Sequence, residues 1–326
     1  MIIFIKGVYY MIKKIILFFL CLIIILSFST LNNYLSCSAL SSIHLKITDE
    51  CDYKTRMKQD LLVLMLAYPD YITDISCENN GDVFIVMKSG KKFIYDDKKT
   101  KNPQEKLCNP DLQDMLEEIY PLNKTNEIMS KDFNPGRIRH YELLNEVYGS
   151  SKSSIEKNLC SLKYGYTNYQ FNKQNNANTA LEDTLKELIP MSKSNPKIGA
   201  ILYPASGTYN YRLISGTGRL SPHSYGITID LKSDKRDYWK WSSIEQGKTR
   251  LCEYPDELVS AFENHNFIWG GKWGYFDILH FEYRPEIILK AKYFSNYNND
   301  DDWFKGAPED NDAVKKCIKL IDSKIQ

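Results

Sequence analysis

Histidine is scarce in this chain, with five residues in 326, and no two cysteines stand in a C-x-x-C pair. The second absence argues against a cysteine-held zinc. The first makes any pair of histidines in a short, glycine-rich setting informative. A basic excess is also missing: 42 Lys+Arg against 41 Asp+Glu give a formal net charge of +1, so nothing suggests a nucleic-acid partner. No internal repeat occurs, and the sequence shows no strand–helix–strand rhythm. What is present is ordinary for a folded protein: 43% apolar and 25% charged residues, in a length that suits roughly two domains.

The one long uncharged run lies near the start. Lys13 and Lys14 precede Ile15–Phe28, a basic segment followed by an apolar one. That is the pattern of a signal peptide, and it is short for a span of about 20 residues. Small residues at Ser36, Ser38 and Ala39 suit cleavage there. Residues 1–38 are therefore read as a signal peptide, or as an anchor if uncleaved, and the protein as exported to the cell wall, periplasm or medium. Membrane contact is expected only through this segment. Cys51, Cys77, Cys108, Cys160, Cys252 and Cys317 then face an oxidising setting. Six cysteines permit 15 pairings; three lie in the amino-terminal region, where at least one bridge is expected.

Residues 39–130 read as an amino-terminal region without visible chemistry. Apolar spacing predicts helices over Met57–Leu66 and Leu112–Ile119, and Val83–Met87 and Phe93–Tyr95 predict a β-hairpin. A second region spans 131–293. Pro135 and Gly136 mark a turn, Arg139–Tyr148 a helix, and Ala180–Ile189 a helix stopped by Pro190. Thr208–Ile214, Ile227–Leu231, Phe267–Trp269 and Leu279–Tyr283 read as strands, and Pro255–Asn264 as an amphipathic helix. Residues 294–326 are an Asn/Asp-rich linker and a terminal helix, Asp312–Lys324. The fold class is α+β.

Within the second region, His223 and Asp230 flank Gly226, and Asp277 and His280 follow about fifty residues later. Two neutral imidazoles and one carboxylate make a three-ligand site with an open position. The second carboxylate is then free to act as a base on water. His223 and Asp230 are seven residues apart, so a straight strand would point them to opposite faces. A turn at Gly226 removes that conflict. On the later strand His280 and Glu282 share one face, with Phe281 and Tyr283 opposite. The anionic tetrahedral intermediate of peptide hydrolysis needs a cation, and Arg212 is the first candidate, Arg219 the second. His44, His140 and His265 are read as structural.

At these residues the chain resembles the zinc peptidases of bacterial cell walls, whose hallmark is S-x-H-x-x-G-x-A-x-D followed by D/E-x-x-H. Ser221, His223, Gly226 and Asp230 fill the first part, with Thr228 in place of the usual Ala; Asp277 and His280 fill the second. Trp269, Gly270, Gly271 and Trp273, with the run from His280 to Tyr283, are most similar to the L-alanyl-D-glutamate endopeptidase branch. The resemblance spans roughly residues 133–290. It implies a hedgehog/DD-peptidase-like fold, a small antiparallel sheet flanked by helices and carrying one Zn2+. His223, Asp230 and His280 are implied as its ligands and Asp277 as the catalytic base. The implied substrates are peptidoglycan peptides, with Tyr225, Trp273 and Tyr275 shaping the cleft. The alternatives are a D-Ala-D-Ala carboxypeptidase or dipeptidase on the same site, or a wall-binding module without catalysis. An Fe(II) oxygenase shares the ligand set but needs more strands than the sequence offers.

Overall fold

The computed structural model describes residues 52–326 except 124, 165–166, 297–300 and 326. Residues 1–38, the expected signal peptide or anchor, and Cys51 lie outside the described residues.

Residues 52–67 form helix α1. Its side chains Leu61, Val63 and Leu64 are fully buried. The first sheet is β1 (Ile72–Cys77), β2 (Val83–Met87) and β3 (Lys92–Ile94), paired antiparallel in that order. The predicted hairpin is present, closed by Gly90 at φ +89. Short helices α2 (Pro103–Cys108) and α3 (Leu112–Leu116) follow, each with a reciprocal capping box, from Asn102 and Asp111.

Helix α4 (Tyr141–Tyr148) is capped by His140, whose Nδ1 accepts from the Leu143 amide at 3.2 Å. Helix α5 (Lys152–Asn158) leads into a hairpin absent from the sequence reading, β4 (Leu159–Tyr164) and β5 (Thr167–Asn172). Helix α6 (Ala177–Ser194) runs through Pro190 instead of stopping there. Its apolar stripe of Leu181, Leu185 and Leu188 is fully buried, so packing overrides the local cost of the proline. Helix α7 (Pro196–Leu202) packs against it.

The expected strand Thr208–Ile214 is not formed. This segment is a loop with isolated bridges, Gly207 to Asp230 and Leu213 to Leu220. The third sheet is β6 (Thr228–Asp230), β8 (His280–Tyr283) and β7 (Phe267–Trp269), with β8 central and antiparallel to both neighbours. Helices α8 (Ile244–Leu251) and α9 (Asp256–Asn264) lie between β6 and β7 in sequence. Phe262 of α9 stacks on Phe281 with ring centroids 4.1 Å apart, and Trp269 stacks on the same ring. Burying each such side chain contributes roughly 1.5–3 kcal/mol. After β8 come α10 (Pro285–Phe294) and α11 (Asp312–Lys324).

Residues 56–326 form one compact unit, which includes both sides of the division expected near residue 130. Buried polar groups explain it. Tyr68 donates to Glu286 at 2.8 Å, Tyr120 to Glu263 at 2.5 Å, and Lys290 pairs with Asp60 at 2.6 Å. Leaving any of these groups without its partner would be costly. Among the described residues no amino-terminal disulfide is seen: Cys77 and Cys108 are exposed free thiols on separate elements, and Cys160, Cys252 and Cys317 are free as well. Among the described residues no helix is long and apolar enough to cross a membrane.

Candidate metal centre

His223 sits on a single helical turn, Pro222–Tyr225, which Gly226 ends in the left-handed conformation at φ +68. A Cβ at 226 would lie 2.6 Å from Leu159, so the turn needs glycine for both its backbone and its space. The predicted bend is thus present, and the chain leaves it directly into β6. There Asp230 pairs with His280 across the ladder, Ile229 with Phe281 and Thr228 with Glu282. The sheet register therefore sets Asp230 beside His280, and the Gly226 turn brings His223 back over them.

The result is a converging trio. His223 Nε2 lies 3.1 Å from Asp230 Oδ2, and His280 Nδ1 lies 2.9 Å from Asp230 Oδ1. One ligand atom from each residue falls within 4.8 Å of the others. The remaining ring nitrogens are held from behind. His223 Nδ1 contacts the Thr208 carbonyl oxygen at 2.6 Å, and His280 Nε2 faces Glu282 Oε2 at 3.6 Å. Such partners fix the ring orientation of metal-binding histidines. Glu282 is itself clamped by Arg139, whose Nε donates at 2.8 Å while Nη2 donates to the other oxygen, and by Arg284 Nη1 at 3.4 Å. Neither Glu282 nor Arg139 was singled out as functional from sequence. The face shared by His280 and Glu282 was the only signal available.

The electrostatics suit a cation. Burial would raise the Asp230 carboxyl, but the His223 and His280 rings outweigh it and hold the group well below its usual range. Burial works against charge on His280, yet its hydrogen bond to Asp230 and the nearby Glu282 and Asp277 carboxylates hold its pKa up, to about 10. A field that favours a proton here favours a divalent ion between the same atoms. Asp277 lies outside the trio but within its field. Burial and the negative charges of Asp230 and Asp237 push its carboxyl up to about 7, against the pull of His280 and His223. Its backbone is fixed by Gly270, where an added Cβ would meet the Asp277 carbonyl at 2.4 Å.

Residues 215–283 match the family model described as D-alanyl-D-alanine carboxypeptidase. Over this segment the sequence is similar to that family of zinc peptidases. No curated protein and no solved structure matches the chain. The matched segment of the peptidase contains His223, Asp230, Asp277 and His280, together with Arg212's nearest alternative, Arg219. It excludes Arg139, which holds Glu282.

The other sequence candidates separate. Arg212 is exposed; its backbone is tied to Ser221 and Ser224 at 2.8–2.9 Å, but its side chain is not drawn into the trio's hydrogen bonds. Arg219 is half-buried and donates to the Leu107 carbonyl. Tyr225 belongs to the core and not to a cleft: it is 1% exposed and its hydroxyl donates to Asn145. Trp273 is also buried, 5.7 Å from the His280 ring, with its indole N–H on the Pro135 carbonyl. Tyr275 remains half-exposed and packs against Trp239 and beneath Arg137. Arg137 was not singled out from sequence; its charge acts on Asp277 from a part of the chain 140 residues away in sequence.

Proposed function

We propose that this cell-wall zinc peptidase hydrolyses stem peptides of peptidoglycan, as an L-alanyl-D-glutamate endopeptidase. The observation that carries the hydrolytic reading is the convergence of His223 Nε2, Asp230 and His280 Nδ1, with Asp277 close by and outside the trio. The donor set fits zinc: two imidazoles and one carboxylate, their outward atoms already engaged. His223, Asp230 and His280 would hold one Zn2+, and the ion when bound supplies Lewis acidity to the scissile carbonyl and to water.

The side chains do the proton work. Asp277, with a pKa near 7, takes the proton lost by water as its oxygen bonds to the carbonyl carbon. It then gives that proton to the amide nitrogen, the C–N bond breaks, and carboxylate and amine leave. Arg212 is the proposed donor to the oxyanion; its exposed side chain has room to fold over a bound peptide. Glu282, held by Arg139, keeps the His280 ring aimed.

The family description favours a second reading, removal of a terminal D-alanine on the same site. Products separate the two. Digestion of purified wall by zinc-loaded protein yields new amino-terminal D-glutamate if the endopeptidase reading is right, and free D-alanine if the carboxypeptidase reading is right. Wall binding without either product, or full digestion by His223→Ala, refutes hydrolysis at this site. The basic-then-apolar start of the chain supports export, and amino-terminal sequencing of secreted protein near residue 38 tests it.

A further inference from the structure

Strand β5 spends its two edges differently. One edge pairs with β4. Hydrogen-bonding groups alternate between the edges of a strand, and the amides of Gln170 and Asn172, two residues apart, both point away from the hairpin. Gln170 N–H donates to Thr208 Oγ1 at 3.2 Å, and Asn172 N–H donates to the Gly226 carbonyl at 2.7 Å. An edge that would otherwise stand open is thus tied to two segments of the metal centre.

Both acceptors stand one step from a metal ligand. Thr208 also offers its carbonyl to His223 Nδ1, at 2.6 Å, so this one residue joins β5 to the ring. Gly207 exchanges backbone hydrogen bonds with Asp230 at 2.8 and 3.3 Å, and Asn210 N–H donates to the His223 carbonyl at 3.2 Å. Gly226 closes the turn that carries His223. Asn172 grips that turn a second time through its fully buried side chain. Its Nδ2 donates to the Tyr225 carbonyl at 2.9 Å and the Tyr148 carbonyl at 3.1 Å, and its Oδ1 accepts from the Gln174 amide at 2.9 Å. Asn172 and Thr208 both precede the matched segment 215–283.

We propose that the β4–β5 hairpin is a positioning element of the metal centre, with Thr208 and Asn172 as the positioning residues for His223. This rests on the reading of His223, Asp230 and His280 as zinc ligands. A ligating imidazole is aimed by the partner of its second ring nitrogen, and that partner must itself be fixed. The Thr208 carbonyl lies in a loop outside any strand, joined to β6 by the isolated Gly207–Asp230 bridge. The Thr208 hydroxyl supplies a second anchor, to a regular hairpin. The two halves of the site are then held from different parts of the chain: Arg139 and Glu282 steady His280, and β5 steadies His223. Ligand distances must hold to within about 0.2 Å, so slack of that size at Thr208 is enough to weaken zinc.

The test compares Thr208→Val, Thr208→Ser and Leu162→Ala in the full chain. Thr208→Val nearly keeps the shape and deletes the acceptor for Gln170. It weakens zinc about 10-fold in competition with a chromophoric chelator, the low end for loss of such a partner, and shifts the visible absorption of the cobalt-loaded protein. Thr208→Ser keeps the hydroxyl and restores both. Leu162→Ala removes a buried side chain of β4 and lowers the Tm without a comparable loss of zinc. In metal-free protein, amide exchange of the turn 221–226 speeds up about 5-fold in Thr208→Val, as expected for one hydrogen bond, and not in Thr208→Ser. Unchanged zinc affinity in Thr208→Val overturns the proposal, as does an equal loss in Leu162→Ala or no rescue by Thr208→Ser. A wild type that binds no zinc refutes the ligand reading alone. The exchange measurement then decides the hairpin's hold: faster exchange in Thr208→Val supports it, and unchanged exchange overturns it.

Discussion

Glu282→Gln is the most discriminating change in the metal centre. The substitution keeps the shape and removes one charge from a completely buried position. Arg284 retains Glu286 as a partner, but Arg139, 5% exposed, loses its carboxylate partner. Breaking a buried pair costs about 3–5 kcal/mol. Glutamine still offers Arg139 one acceptor, so the lower end, about 3 kcal/mol, is expected. A unit of this size loses roughly 2–4 °C in Tm per kcal/mol, which gives a fall of about 6–12 °C in the metal-free protein. The second effect is on zinc. His280 Nε2 faces Glu282 at 3.6 Å, longer than a hydrogen bond, so the coupling is mainly electrostatic. Loss of such a partner lowers metal affinity about 10- to 100-fold. Thermal unfolding with chelator reads the first effect, and competition with a chromophoric chelator reads the second. The double variant Glu282→Gln with Arg139→Met separates them: it regains stability without regaining zinc affinity. Zinc affinity within twofold of wild type, alongside the lowered Tm, would refute the positioning role and leave Glu282 as a counter-ion for Arg139.

Asp277→Asn should lower kcat by about 10²–10⁴-fold while one zinc per chain is retained by metal analysis; loss of the zinc instead would make Asp277 a ligand. Gly226→Ala forces a side chain at φ +68 against Leu159 and should cost about 1–3 kcal/mol in urea unfolding, with weaker zinc binding because His223 shifts. His140 is pushed down to about 4 by burial, whereas the unfolded ring titrates near 6.5. The unfolded chain therefore takes the proton first, so stability is full above pH 6.5 and is lost as pH falls toward 4. The upper bound is about 3 kcal/mol, and His140→Asn, which can still cap α4, should flatten that part of the stability–pH curve.

The trio was legible because its logic is local. His223 and Asp230 need only the Gly226 turn between them, and strand alternation puts His280 and Glu282 on one face; both features lie within a few residues. The β2–β3 hairpin was legible for the same reason. Pro190 misled because its local cost is real, but the buried leucines of α6 outweigh it. Thr208–Ile214 alternates like a strand, yet its polar groups bond to the His223 turn through Ser224 and Thr208 instead of to a sheet. Arg139 and Arg137 were missed for a different reason. Their partners, Glu282 and Tyr275, are separated from them by about 140 residues, and nothing in local spacing encodes that pairing. The bonds that join Tyr68, Tyr120 and Asp60 to α9 and α10 are long-range as well, and local spacing carries no sign of them.

The Arg139–Glu282 clamp has a consequence for modularity. The family signature occupies residues 215–283, but the counter-charge that makes its central strand tolerable is contributed 143 residues earlier. The signature is not a portable cassette. Moved into another scaffold without the stretch around Arg139, it would bury Glu282 uncompensated beneath His280. A successful graft, or a minimal active fragment, must bring both pieces of chain together.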